Sequence, residues 1–369
     1  MAKKRIYLSP PHLGDNEIKH IKDAFEKNWI TTSGDNIEAF EKEICKISSV
    51  TNCIALNSGT SAIHLALIAL GIEKGDEVIC SSFTFVASAN PIVYLGATPI
   101  FIDSEQNTWN MSPVLLEKAI QDRIKKGKKP KAILLVHLFG QPAKLNELLE
   151  ISTTYEIPII EDAAESIGST YEGKMTGSFG HIGIYSFNGN KIITTSGGGA
   201  LITNDKKVAE KTKFLATQAR DKASHYQHSE IGYNYRLSNI LAGIGLGQLE
   251  VLQNRIQRKR EIFDYYKKQL EPTGKFSFLE EFKNTYSNRW LTVILSLEEN
   301  PELLKSKLEA DNIESRPLWK PLHLQPVFKD APAYIDGTSE KLFQKGLCLP
   351  SGTAMTEEDL YRIVKLFSA

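Results

Sequence analysis

Short apolar runs alternate with segments of helical spacing along most of the chain, and this alternation predicts the fold. Ahead of the first run, Asp15 can cap a helix whose apolar positions are Ile18, Ile21 and Phe25. Ile37, Phe40, Ile44 and Ile47 then repeat at helical spacing. From residue 53 onward the runs at 53–56, 77–80, 99–102, 132–138, 157–160, 182–186 and 200–203 read as seven strands. Several are continuously apolar, the pattern of strands covered by helices on both faces. The expected fold class is α/β, a three-layer sandwich around a mostly parallel seven-stranded sheet.

Beyond about residue 275 the pattern changes to FSFLEE, SNRWLTVILSL, a helix over 301–310, CLPSGT and a closing helix from Thr356. That succession predicts a smaller C-terminal α+β domain. The expected division is 1–250 for the large domain and 251–369 for the small one, linked by a long helix over about 237–270. Gly243, Gly245 and Gly247 inside that helix cost roughly 1 kcal/mol each against alanine, so another backbone is expected to pack closely there.

Composition narrows the range of functions. Of 369 residues, 41% are apolar and 24% charged, ordinary values for a globular chain. Lys+Arg and Asp+Glu both number 44, so no net charge favours nucleic acid or an anionic membrane. The start, MAKKRIYLSPPHLG, carries no signal-like apolar core, and nowhere do eighteen apolar residues run together; a cytoplasmic protein without membrane contact is expected. Cys45, Cys53, Cys80 and Cys348 lack C-x-x-C spacing and suit reduced, buried thiols. His225 and His228 have no carboxylate or cysteine at matching spacing, and no metal site is expected.

In parallel sheets ligands sit beyond the carboxyl ends of the strands, so the residues after each run are where chemistry should lie. The first run is followed by Ser58-Gly59-Thr60 and the helical AIHLALIALG, a helix N-terminus suited to a phosphate. His64, inside that helix, reads as a packed histidine. The second run leads to Phe85, the fifth to Asp162 and Glu165 in EDAAES, and the sixth to Ser186 and then Lys191 before TTSGGG. Taken singly these are a serine N-cap, a core phenylalanine, a capping aspartate and a solvated lysine. Together, in this order, they fit pyridoxal 5′-phosphate: a lysine for the Schiff base, an aspartate for the pyridine nitrogen, an aromatic to stack on the ring, and hydroxyls with a helix N-terminus for the phosphate.

EDAAES followed by SFNGNKIITTSGGG resembles the DegT/DnrJ/EryC1/StrS sugar aminotransferases, a branch of the fold-type I pyridoxal phosphate enzymes. The likeness extends through SFTFVASANPI, HLFGQPA, GYNYRLSNI and RPLWKPLH, and is nearest to enzymes of the bacillosamine type. It implies that Lys191 is the catalytic lysine that bonds the cofactor and Asp162 the pyridine partner, with Phe85 stacking and Ser58, Gly59, Thr60 and Ser186 around the phosphate. Asn234 matches an asparagine that reaches the neighbouring subunit's cofactor, which implies a homodimer with shared active sites. Glu165 stands where the family often has Gln or His, so a hydrogen bond to the ring hydroxyl is in question there. Ser196-Gly197-Gly198-Gly199 replaces a common Gly-Glu-Gly-Gly and points to a subgroup.

Substrate contacts are expected from the loop before the linking helix, with Arg220 and Arg236, and from the RPLWKPLH segment, with Arg316, Lys320 and His323 beside Trp319. The resemblance implies transfer of an amino group from L-glutamate to the C4 keto group of UDP-4-keto-6-deoxy-N-acetylglucosamine, in two half-reactions with ping-pong kinetics. A 3-keto or another 4-keto nucleotide sugar, dTDP- or GDP-linked, is the alternative substrate. A non-catalytic regulator on the same fold is the alternative function. Dehydratases of the family carry histidine in place of the lysine, so Lys191 argues against that reaction.

Overall fold

A computed structural model describes residues 3–367 of the chain. The seven expected strands form one sheet in the order Asn52–Leu56, Gly199–Thr203, Ile182–Ser186, Ile159–Asp162, Ala132–Val136, Glu77–Ser81, Thr98–Ile102, and an eighth, Ala333–Tyr334, joins at the far edge. Gly199–Thr203 runs antiparallel to both its neighbours, and the remaining pairs are parallel. Because successive side chains of a strand point to opposite faces, each continuous apolar run feeds two cores. Ala132, Leu134 and Val136 pack on one side with Ile63, Leu67 and Phe40. Ile133 and Leu135 pack on the other with Leu116, Ile120 and Leu148. The helices Asp35–Ser48 and Gly59–Ala69 thus cover one face, and Pro113–Lys125 and Leu145–Tyr155 the other.

A second lobe holds the antiparallel sheet Phe276–Phe278, Thr292–Ser296, Gly346–Leu349 and Arg316–Pro317, with its own core under the helices Leu252–Leu270 and Glu357–Lys365. Ile6 belongs to that core and bridges Ile313, so the start of the described chain sits with the C-terminal lobe and not with the sheet it precedes. The lobes are joined at the sheet edge. The buried Asp103 carboxylate, at the end of Thr98–Ile102, accepts N–H groups of Asp336, Gly337 and Thr338 on one oxygen and of Ser339 on the other.

The long linking helix expected over about 237–270 is two helices, Asn239–Glu250 and Leu252–Leu270. Val251 between them leaves helical geometry, at φ −104° and ψ 2°. The close approach expected at the glycines is present: a Cβ at Gly247 would lie 2.6 Å from the Glu17 backbone nitrogen, and one at Gly245 2.5 Å from the Phe40 ring. Among the described residues no helix is long and apolar enough to cross a membrane.

Candidate active site

At the carboxyl edge of the sheet a cavity of about 310 Å³ opens between the lobes, within the range of small-ligand sites. Ser58, Gly59, Thr60, Phe85, Asp162, Glu165, Ser186 and Lys191 all line it, so eight of the nine residues expected around the cofactor come together. Strand order explains this. Ile159–Asp162 and Ile182–Ser186 are neighbours and run parallel, which sets Asp162 beside Ile184 and carries Ser186 past it toward Lys191.

Ser58 caps the Gly59–Ala69 helix by accepting the Ser61 N–H at 3.0 Å. Its hydroxyl is therefore engaged in the cap, while the first-turn N–H groups of Gly59 and Thr60 have no intrahelical acceptor at the cavity wall. A Cβ at Gly59 would lie 3.2 Å from the Ser186 Cβ, so glycine lets the helix start and the strand end approach. This cradle suits a phosphate, with the helix dipole adding to it.

Asp162 is 5% exposed and held from both sides: Ser88 Oγ donates to Oδ2 at 2.6 Å and the Ala164 N–H to Oδ1 at 3.2 Å. Thr84 Oγ1 lies 3.0 Å from Ser88 Oγ and extends the chain. Lys191 Nζ lies 4.1 Å from the Trp290 ring centroid and 3.7 Å from Glu165 Oε1. Burial pushes the Glu165 carboxyl above its ordinary value, against the pull of the Lys191 charge and the Phe139 N–H, which donates to Oε2 at 2.7 Å. Phe139 takes a left-handed backbone (φ 54°), uncommon outside glycine, and its ring stacks on Trp319 with centroids 6.3 Å apart. Phe85 is 50% exposed, 5.4 Å from Trp319, with its ring available to a flat ligand. An amine, a buried carboxylate, an exposed aromatic and an anion cradle are the groups that an aldehyde, a pyridine nitrogen, a flat ring and a phosphate require, so the residues fit pyridoxal phosphate.

Several expected residues fall elsewhere. Asn234 is exposed outside the cavity, with its side-chain oxygen 3.2 Å from Gln218 Nε2. Arg236 is buried, and its Nη1 donates to Glu41 Oε1 at 2.5 Å and the Ala55 carbonyl at 3.0 Å. His323 is likewise engaged, by Ser82 Oγ at 2.6 Å and Glu340 Oε1 at 3.2 Å. Arg220 lies over the Tyr226 ring, away from the cavity, and Lys320 is exposed. Arg316 lines a second cavity of about 400 Å³ that adjoins the first across Asn190, Trp290 and Trp319. His64 is packed, as expected, among Tyr94, Tyr233 and Tyr235, and burial lowers its pKa.

Sequence reasoning missed Ser88 and Trp290. Nothing local distinguishes Ser88 from the other hydroxyls of SFTFVAS, and Trp290 sits in an apolar run that reads as core.

The class that this fold defines is the pyridoxal phosphate-dependent aminotransferases. Within it the chain belongs to the DegT/DnrJ/EryC1/StrS aminotransferase family, whose model matches residues 11–368. It is 51% identical over 369 residues to the putative pyridoxal phosphate-dependent aminotransferase EpsN of Bacillus subtilis (strain 168), covering 98% of this chain and 95% of that protein. It is 38% identical to the GDP-perosamine synthase of Escherichia coli O157:H7, over 98% and 97%. A DegT/DnrJ/EryC1/StrS aminotransferase crystal structure from Brucella abortus superposes with a TM-score of 0.90 at 32% identity, over 96% and 94%.

Proposed function

We propose that this cytoplasmic enzyme transfers the amino group of L-glutamate to the C4 keto group of a nucleotide sugar, UDP-4-keto-6-deoxy-N-acetylglucosamine, for glycan or exopolysaccharide assembly. The observation that carries the reading is the convergence of Lys191, Asp162 and the Gly59–Thr60 helix start on one cavity. Pyridoxal phosphate bound there supplies the electron sink that lets an amino group leave a donor and enter a ketone. Lys191 Nζ takes a proton from the glutamate α-carbon and, in the second half-reaction, delivers one to sugar C4. Asp162, fixed by Ser88 and the Ala164 N–H, accepts from a protonated ring nitrogen. Gly59 and Thr60 N–H groups with Ser186 hold the phosphate, Phe85 stacks, and Glu165 lies at the Lys191 side. Arg316, which lines the adjoining cavity and pairs with Glu314 Oε1 at 2.9 Å, and the exposed Lys320 would meet the bulk of the nucleotide. The enzyme acts as a homodimer in which Asn234 of each chain completes its partner's site.

A GDP-linked sugar is the second reading, favoured by the 38% identity to a GDP-perosamine synthase. The test is the visible spectrum with added pyridoxal phosphate, before and after glutamate, followed by a screen of UDP-, GDP- and dTDP-linked 4-keto and 3-keto sugars. Glutamate should bleach the cofactor band of the wild type. Lys191→Ala should bind cofactor without turning over, and full activity in that variant sinks the reading.

A further inference from the structure

Lys259, on the Leu252–Leu270 helix, is 2% exposed, and no carboxylate among the described residues pairs with it. Its amine donates to the carbonyls of Trp290 at 2.8 Å and Ser351 at 2.9 Å and to Ser9 Oγ at 3.4 Å. Ser9 gives its own hydroxyl proton to the Asn190 carbonyl at 3.0 Å, so towards Lys259 it accepts. With two carbonyls and that oxygen as acceptors, all three N–H groups of an ammonium are used. Burial pulls the amine's pKa down to about 7, and the three acceptors are what favours the ammonium against that desolvation cost.

Two of the three groups that Lys259 holds, Trp290 and Ser9, lead to the same place. The Trp290 indole N–H donates to the Asn190 carbonyl at 2.8 Å, the acceptor that Ser9 also uses, and Asn190 precedes Lys191. The face of that indole is what Lys191 Nζ rests against.

We propose that Lys259 is a positioning residue for Lys191: from outside the cavity it fixes the Trp290 main chain and Ser9, and through them the Asn190–Lys191 turn and the indole on which the Lys191 amine packs. The proposal rests on the reading of Lys191 as the reacting amine. Trp290 binds the Lys191 side chain directly, and Lys259 acts through it.

The test uses full-length Lys259→Met, Ser9→Ala and Trp290→Phe proteins and the Lys259→Met/Trp290→Phe double variant. In cofactor-free protein the labelling rate of Lys191 by trinitrobenzenesulfonate is read by peptide mapping, with surface lysines as the internal control. Loss of the fixed indole should speed labelling of Lys191 alone by at least about threefold in Lys259→Met, and by less in Ser9→Ala. The double variant should fall short of the product of the two single effects, because both act on one contact. In the cofactor-loaded enzyme kcat should drop about tenfold with KM little changed. A lower melting temperature with Lys191 labelling and kcat unchanged overturns the proposal, as do multiplicative effects in the double variant. If Lys259→Met does not fold, Ser9→Ala decides by the same two readouts. Should the wild type show no cofactor band that Lys191→Ala shifts, the functional reading fails, while labelling of the cofactor-free protein still judges Lys259.

Discussion

Ser88 Oγ donates to Asp162 Oδ2 at 2.6 Å, a bond between residues 74 positions apart that neither strand nor helix requires. It holds the carboxylate in one rotamer at the floor of the cavity. A hydrogen bond to a charged group contributes roughly 1.5–3 kcal/mol, and part of that is lost to pyridoxal phosphate if Asp162 is free to turn. Ser88→Ala should therefore weaken cofactor binding by about tenfold with the fold intact. An absorbance titration with pyridoxal phosphate measures this. An unchanged dissociation constant would show that the Ala164 N–H alone suffices.

Asn234 is exposed, and the cavity of its own chain does not include it. If it completes the partner's site, mixed dimers of one Asn234→Ala chain and one Lys191→Ala chain contain one fully intact site. Activity should return in the isolated mixed dimer, to about half that of the wild type, whereas each homodimer stays low. No rescue places both residues in the same chain's site.

Asp103 predicts an acid limit to stability. Burial works to raise its pKa, but the bonds from Ser339 and the neighbouring N–H groups outweigh it and hold the carboxyl below its ordinary value. A depressed folded-state pKa gives stability that is complete above the unfolded value, about 3.9, and is lost as pH falls through the folded value. Asp103→Asn should melt lower than the wild type near neutrality, and the two melting curves should converge below about pH 4. A constant gap across pH would assign the effect to shape and not to charge.

Gly247→Ala sets two effects against each other. Helix propensity favours alanine by about 1 kcal/mol. The new Cβ, however, would sit 2.6 Å from the Glu17 nitrogen, and backbone cannot swing aside as a side chain can. Overpacking of that kind costs roughly 1–3 kcal/mol, so the variant should be less stable by urea unfolding. A gain in stability would mean that the Glu17–Glu26 helix can retreat.

Much of the fold was legible because each strand is buried on both faces, which forces continuous apolar runs such as Ala132–Val136. The site was legible to the same degree, since a parallel sheet presents Asp162, Ser186 and Lys191 at one edge as soon as the strands are placed. Partners of charge were not legible. Arg236 and Glu41 lie 195 positions apart, and His323 finds Ser82 across 241, so the topology alone decides whether a cation is held by the protein or left for a ligand. Trp290 was hidden for a related reason: an indole that serves the core with one edge and a lysine with its face reads, in one dimension, as core.

The pairing of Ile6 with Ile313 makes the C-terminal lobe a structure closed by both ends of the described chain, as does the bond from Arg5 to Asn312 across 307 positions. A ribosome releases the N-terminal segment long before its partners exist. The seven strands of the large sheet that end by Thr203 can collapse while that segment waits, and Ile6 meets its bridge partner only once the chain has emerged to Ile313. Completion of the second lobe is therefore a late step of biosynthesis, and the wall that Trp290 adds to the cavity, tied through the Asn190 carbonyl to Ser9, forms with it.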